Sequence, residues 1–251
     1  MVSESDCTTL GSLDLQSCQA VSVSGHKWYK PVICIDTNGS GEKRLIKTYR
    51  YHQGPLGQYF RLLASHEYRM LTRVQGVAFT PQRVKREAVC SNTISYGYVD
   101  GVPIKEQFRK SDIPDGFFFR LYQAVSELHD KGIAHMDVGN SGNILVSPDG
   151  KPMLIDFGSS VVLKWLPSIT RAWARKRDLL GVLKLWRRYD DATMPEVLRQ
   201  YYECYYRKNI YTPKRFFKAC KRYWLSDGEE MSELGAIAGI FFVLWFLTII
   251  V

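Results

Sequence analysis

Over the first hundred residues, apolar positions fall largely in short strand-length runs bounded by turn residues, with one helical stretch among them. Val21–Val23 and Pro31–Thr37 (PVICIDT) read as short strands. The Gly- and Asn-rich stretch Thr37–Lys43 (TNGSGEK) reads as a hairpin turn, and Arg44–Arg50 (RLIKTYR) as the returning strand. The period becomes helical over 58–75, where Tyr59, Leu62, Leu63, Tyr68, Met70 and Leu71 recur. Two strand-like runs follow, near 82–90 and 93–99. From Gly116 the segment FFFRLYQAVSELHDKG predicts a helix ending at Gly132, a residue type that tolerates the left-handed position past a helix end. Two short apolar strands then surround an SPDG turn, and the chain from about 170 onward is helical in pattern. Strands first, one long helix, a charged β-hairpin and then helices predict an α+β, two-lobed arrangement. Its parts are a weakly ordered lead-in over 1–20, a β-rich N-lobe with one helix over 21–100, and a helical C-lobe over 101–230.

The last 18 residues change that picture. Leu234–Val251 (LGAIAGIFFVLWFLTIIV) carries no charge and is apolar on every face, which predicts a membrane-anchoring helix. Lys214, Arg215, Lys218, Lys221 and Arg222 lie just before it, as a positive cytoplasmic flank would. A buried core helix of the same length is the competing reading. The N-terminus shows no signal-peptide pattern.

Composition is that of a globular chain: 251 residues, 45% hydrophobic and 24% charged, which excludes wholesale disorder. The net charge of +9 is uneven. Residues 1–160 hold 18 basic against 16 acidic side chains, whereas 161–251 hold 16 against 9. A basic C-terminal part calls for an anionic partner surface. The six cysteines form no CxxC pair and no metal-ligand spacing with the histidines, so reduced thiols of a cytosolic compartment are expected.

The candidate chemistry is concentrated in residues 135–158. His135-x-Asp137 is followed by Asn143, then by the strand Ile144–Val146. A second strand, Met153–Ile155, delivers Asp156-Phe157-Gly158. Phosphoryl transfer from a nucleotide needs a carboxylate near the attacking hydroxyl, oxygen ligands for Mg²⁺, a cation on the phosphates and strict placement. Asp137 can supply the carboxylate. Asn143 and Asp156 are hard oxygen ligands at the mouth of one hairpin.

HMDVGNSGN together with IDFG resembles the catalytic and metal-binding motifs of the protein-kinase-like fold, and the likeness covers roughly 20–190. The resemblance implies ATP and Mg²⁺ as nucleotide and metal. It implies Asp137 as the catalytic carboxylate and Asn143 and Asp156 as metal ligands. Lys47 would be the phosphate-positioning lysine and Glu67 its partner, the only acidic residue between Lys43 and Arg86. Tyr96–Gly101 would be the hinge that holds the adenine, with Tyr98 and Val99 as its binding residues. Asp178 would brace the catalytic-loop backbone, and His135 would be structural. Taken singly each is an ordinary charge or turn; their order is what carries the likeness. Within the superfamily, ASHEYRMLTRVQGVAFTP, GIAHMDVGNSGNILVSPDGKPMLIDFG and RDLLGVLKLWRRY are most similar to small bacterial lipopolysaccharide-kinase-like (Kdo-kinase-like) proteins.

Three departures qualify the likeness. No GxGxxG precedes Lys47, and only Ser24–His26 could cradle phosphate. Asn143 follows Asp137 by six residues where protein kinases usually have five, which makes Asn140 a fallback ligand. Only about 20 residues separate Gly158 from Asp178 without an Ala-Pro-Glu motif, so a small or lipid-attached acceptor is expected. Residues 164–188 interleave Trp165, Trp173 and Trp186 with eight Lys/Arg. This reads either as a basic solvated face whose tryptophans pack inward or as an anionic interface, where the terminal apolar run favours membrane over nucleic acid. The expectation is an ATP-dependent kinase at the cytoplasmic face of a membrane, acting on a hydroxyl of a lipid-linked sugar. A protein Ser/Thr kinase and a membrane-tethered pseudokinase are the alternatives.

Overall fold

A computed structural model describes residues 18–22, 31–37, 39–49, 54–86, 92–107 and 113–206. The chain divides into two units, Met1–Arg199 and Gln200–Val251, and the first holds every element that bears on the site. The candidate phosphate turn at Ser24–His26 and the apolar run 234–251 lie outside the described residues. Among the described residues no helix is long and apolar enough to cross a membrane.

Five antiparallel strands form the first sheet: β1 (Cys18–Ser22), β2 (Val32–Thr37), β3 (Lys43–Thr48), β4 (Lys85–Arg86) and β5 (Thr93–Gly97), in the order β1-β2-β3-β5-β4. The Thr37–Lys43 turn closes β2 onto β3, with Thr37 opposite Lys43 and Ile33 opposite Lys47. Gly41, at φ +81°, supplies the left-handed residue the turn requires. β5 is buried along its whole length, as a central strand should be. Helix α1 (Gly54–Arg73) begins with a Gly-Pro pair and buries Phe60, Ala64, Glu67 and Leu71, three or four residues apart on one face.

Where the 82–90 pattern predicts a strand, 87–90 lie outside the described residues, and of the rest Lys85 and Arg86 pair with β5. The chain before them is held as a loop by Gln82, whose Nε2 donates to the carbonyls of Val77 (2.7 Å) and Thr80 (3.0 Å). Arg83 there takes φ +59°, which no strand residue adopts.

The chain then passes through β6 (Val102–Pro103) and one turn of helix, α2 (Ile104–Gln107). A Cβ on Gly101 would stand 2.9 Å from the Val146 carbonyl oxygen, so this crossing needs a residue without a side chain. Helix α3 (Phe117–Asp130) buries Phe117, Leu121, Ala124, Val125 and Leu128, and ends before Gly132 at φ +80°. Four short strands follow: β7 (Ile133–Ala134), β8 (Ile144–Val146), β9 (Pro152–Leu154) and β10 (Val161–Val162). β6, β8 and β9 form one sheet, and β7 pairs with β10. The β7–β10 pair had no sequence signal, because two-residue strands are made by tertiary pairing and not by a local period. The 22-residue helix α4 (Ser168–Tyr189) packs on α3, with Trp186 stacked on Phe118 at 6.0 Å between ring centroids. Helix α5 (Glu196–Tyr205) follows a short 3₁₀ turn.

Candidate active site

Lys47 sits on β3 with its side chain buried, and its Nζ donates to both oxygens of Glu67, at 2.9 Å to Oε1 and 2.7 Å to Oε2. Glu67 comes from the middle of α1 and is 0% exposed. A buried carboxylate survives only when paired and hydrogen-bonded, and a second donor completes this one: Tyr49 Oη donates to Oε2 at 3.1 Å. Lys47 Nζ also reaches Asp156 Oδ1 at 3.1 Å. Burial alone would lower the Lys47 pKa. The Glu67 and Asp156 carboxylates outweigh it and hold the ammonium well above the ordinary lysine value. The same ammonium holds the Asp156 carboxyl below its ordinary range. Burial drives Tyr49 and Tyr96 well above the usual phenol value, so both stay protonated.

The opposite wall is the β8–β9 hairpin. Ile144 pairs with Leu154, and the Ile155 N–H donates to the Asn143 carbonyl at 2.9 Å. This register brings Asn143 and Asp156 to one end of the hairpin. Asp156 adopts φ +64°, a strained backbone for a non-glycine residue, and its side chain is 51% exposed. His66 on α1 donates from Nε2 to the Ser160 carbonyl at 2.9 Å, tying the helix that carries Glu67 to the segment after Asp156.

Asp137 lies beside Asn143 on this side of the site, in a loop whose extra residue is taken up by two successive turns. Asn140 N–H donates to the Asp137 carbonyl (3.2 Å) and Asn143 N–H to the Asn140 carbonyl (2.9 Å). Asp137 Oδ2 accepts from Asn143 Nδ2 at 2.8 Å and from Asn140 Nδ2 at 3.2 Å. Among the described residues, Oδ1 has no protein donor. Asn140, the fallback ligand by sequence, spends its oxygen on the Gly142 N–H (3.2 Å) and its amide on Asp137 and Asn143. It braces the loop; Asn143 Oδ1 likewise accepts one hydrogen bond, from Asn140 Nδ2 at 3.3 Å.

The loop rests on α4 through its backbone. Asp178, 1% exposed, accepts the N–H groups of His135 and Met136, both at 2.7 Å, and is bonded to His129 Nε2 at 3.1 Å. Arg177 Nε donates to the Met136 carbonyl at 3.1 Å and Lys184 Nζ to the Gly139 carbonyl at 2.7 Å. A Cβ on Gly181 would stand 2.7 Å from the Gly139 nitrogen, so the helix approaches this closely only because residue 181 has no side chain. His135 is buried, donates from Nε2 to the Ile155 carbonyl (3.1 Å) and meets the Phe157 ring edge-on at 4.8 Å. It holds the loop to the strand and does not face the opening.

The structure therefore brings Lys47, Glu67, Asn143, Asp137 and Asp156 together. Of the two expected hinge residues, Tyr98 has its N–H on the Lys43 carbonyl at 3.1 Å, and its ring lies under Lys43 Nζ. That donor is already used, so a base would meet the Tyr98 carbonyl or the backbone of Val99. Sequence reasoning missed Tyr49, Gly181 and Lys184. Tyr49 follows Lys47 by two residues, the spacing that puts both on one face of an extended chain. Gly181 lies three residues after Asp178, on the same helix face.

Asn143 and Asp156 offer hard oxygens, one of them an ionised carboxylate with an oxygen beyond the one Lys47 engages. Such a set suits a small divalent cation that keeps waters and phosphate oxygens in its shell. Among the described residues no group of three or more His, Cys, Asp or Glu could hold a metal without such help.

Two solved structures share this architecture at TM-scores just above one half. Rio2 kinase from Chaetomium thermophilum is 18% identical with a TM-score of 0.52, covering 79% of this chain and 71% of that one. The same organism's Rio2 kinase-ADP/Mg2+-phosphoaspartate complex is 19% identical with a TM-score of 0.51, covering 69% and 58%. The fold is protein-kinase-like. No family model matches the chain. In the second comparison the chain spans little more than half of the neighbour's length.

Proposed function

We propose that the protein is an ATP-dependent phosphotransferase that moves the γ-phosphoryl group to a hydroxyl. The observation that carries the reading is the position of one buried ammonium, Lys47 Nζ, bonded at once to Glu67 on α1 and Asp156 at the hairpin mouth. An ammonium held there is a fixed cation for a nucleotide's phosphates. Magnesium-bound ATP would supply the phosphoryl group and the leaving group, and Asn143 and Asp156 would hold the metal. The chain supplies placement and electrostatics. Val99 would meet the base. Asp137 Oδ1, with Oδ2 fixed by Asn143 and Asn140, would orient the acceptor hydroxyl and take its proton. The ADP- and Mg2+-bound kinase among the structural neighbours agrees with this choice of nucleotide and metal.

The acceptor is the finer part of the reading. After Gly158 the chain makes β10, one 3₁₀ turn and then α4, so Asp178 is reached without an extended platform for a peptide. That favours a small or lipid-attached hydroxyl, as in the lipopolysaccharide-kinase-like proteins that the sequence resembles. A protein Ser/Thr acceptor suits the same catalytic groups. ADP formation by the full chain with Mg²⁺ tests the proposal, beside Asp137→Asn. Turnover that the variant loses while still binding nucleotide supports it. Nucleotide binding without turnover, with membrane extract and with protein acceptors alike, would make the chain a binding module.

A further inference from the structure

Shortly after the candidate metal site the chain exposes three large apolar side chains. Trp165 is 54% exposed, Ile169 79% and Trp173 48%, at four-residue intervals along the 3₁₀ turn and the first turns of α4. Their neighbours Leu163 and Ala174 are buried with Ala134, and Leu166 packs against that cluster. Those smaller residues fill the inward face of the segment, and the three large groups keep about half or more of their surface in solvent. The charge around them has one sign. Lys164, Arg171, Arg175, Lys176 and Arg177 lie between Asp156 and Asp178, and no acidic residue intervenes. Cations also cover the rings: the Arg73 guanidinium lies 4.8 Å from the centre of Trp165, and that of Arg177 5.5 Å from the centre of Trp173. Arg177 is also the residue whose Nε holds the Met136 carbonyl, one residue before Asp137.

We infer that this surface, Trp165, Ile169 and Trp173 with the surrounding cations, docks the protein on an anionic lipid surface. Exposed tryptophans and an aliphatic side chain suit the headgroup–acyl boundary, and the cations suit anionic headgroups. A soluble acidic protein would match the charge but leave the three apolar groups without a reason. Single-stranded nucleic acid would stack on the tryptophans but give Ile169 no partner. The inference rests on the phosphotransferase reading in one respect only: a docked surface would bring membrane-resident hydroxyls to the loop that carries Asp137.

Hydrogen exchange on the full chain tests it without using activity. The first amides of α4 have no intrahelical acceptor, so exchange at 168–170, within the 163–171 segment, reports contact with another surface. Each cation near an anionic surface strengthens binding about fivefold, so phosphatidylglycerol vesicles are expected to hold the chain and slow that exchange severalfold. Phosphatidylcholine vesicles should not, and 0.5 M salt (on the order of a fourfold shorter screening length than at low ionic strength) should remove most of the protection. Ile169→Glu with Trp173→Glu should abolish protection over 163–171 while leaving the thermal midpoint unchanged, whatever the 234–251 run does. Three results would overturn the inference: no protection on either vesicle, equal protection on both, or protection only by a single-stranded oligonucleotide. Turnover in the same preparation, measured without vesicles, reports separately on the phosphotransferase reading.

Discussion

The two walls of the candidate site are built by opposite strategies. On the Lys47 side, charged side chains hold one another: Lys47, Glu67 and Tyr49 form a buried cluster, with Asp156 at its open edge. On the Asp137 side, side chains of α4 hold backbone atoms, with Asp178, Arg177 and Lys184 each bonded to the loop's own N–H or carbonyl groups. The first wall must keep one cation in one place, which a buried carboxylate does by charge. The second must keep the shape of a loop, which only contacts to the backbone can do. Substitutions on the first wall should therefore alter ionisation and phosphate placement, and those on the second should alter stability and geometry.

Several substitutions would sharpen or break that contrast. Asp137→Ala should lower kcat by about a thousandfold or more, the scale of a lost general base, while nucleotide affinity stays nearly constant. Steady-state kinetics beside calorimetric binding would show it, and a parallel loss of both would place Asp137 in the structural half of the site instead. Asp178→Ala strands two backbone N–H groups and His129 in the interior and should cost about 3 kcal/mol or more of stability. A denaturant midpoint that barely moves would mean the loop keeps its shape without α4. Gly181→Ala forces a Cβ against the Gly139 nitrogen and should cost about 1–3 kcal/mol. Turnover should fall with it, because the displaced backbone carries Asp137.

Lys47→Met tests the charge-built wall through pH. The Asp156 carboxyl is depressed by the Lys47 ammonium, so its stabilising contribution is present above the ordinary carboxyl value of 3.8 and lost as pH falls through the lower folded value. Without the ammonium the Asp156 titration, followed by carbon NMR, should move up. A midpoint unchanged in the variant would show that Lys47 does not set that charge. Tyr49→Phe is the smallest perturbation. It removes one donor from Glu67 and should cost about 1 kcal/mol, read from thermal unfolding, with a modest fall in turnover.

The same contrast explains what the sequence disclosed. The Asp137 loop was legible because its residues are close in sequence and two short strands fix their register. Lys47 and Glu67 were legible by order, Glu67 being the sole acid in its stretch. Tyr49 was not, because a tyrosine on a strand has many uses and only the fold shows its hydroxyl on a carboxylate. Gly181 and Lys184 were hidden for a similar reason, since their work depends on how closely a distant helix approaches the loop. The extra residue before Asn143, which made that ligand doubtful in sequence, is absorbed by the two turns through Asn140. A hinge-like sequence does not reveal that the Tyr98 N–H pairs with the Lys43 carbonyl. The short strands β7 and β10 had no periodicity to read, and the first residues of the 82–90 run belong to the loop that Gln82 pins.

The central claim is that Lys47, Asp156 and Asn143 form one site for a nucleotide's phosphates and a divalent ion. ADP binding measured by calorimetry, with and without Mg²⁺, in the full chain and in Asp156→Ala, tests this most directly. The account predicts that Mg²⁺ strengthens binding to the full chain and that Asp156→Ala abolishes that increment. Equal affinity with and without the metal, unchanged by the substitution, would contradict it.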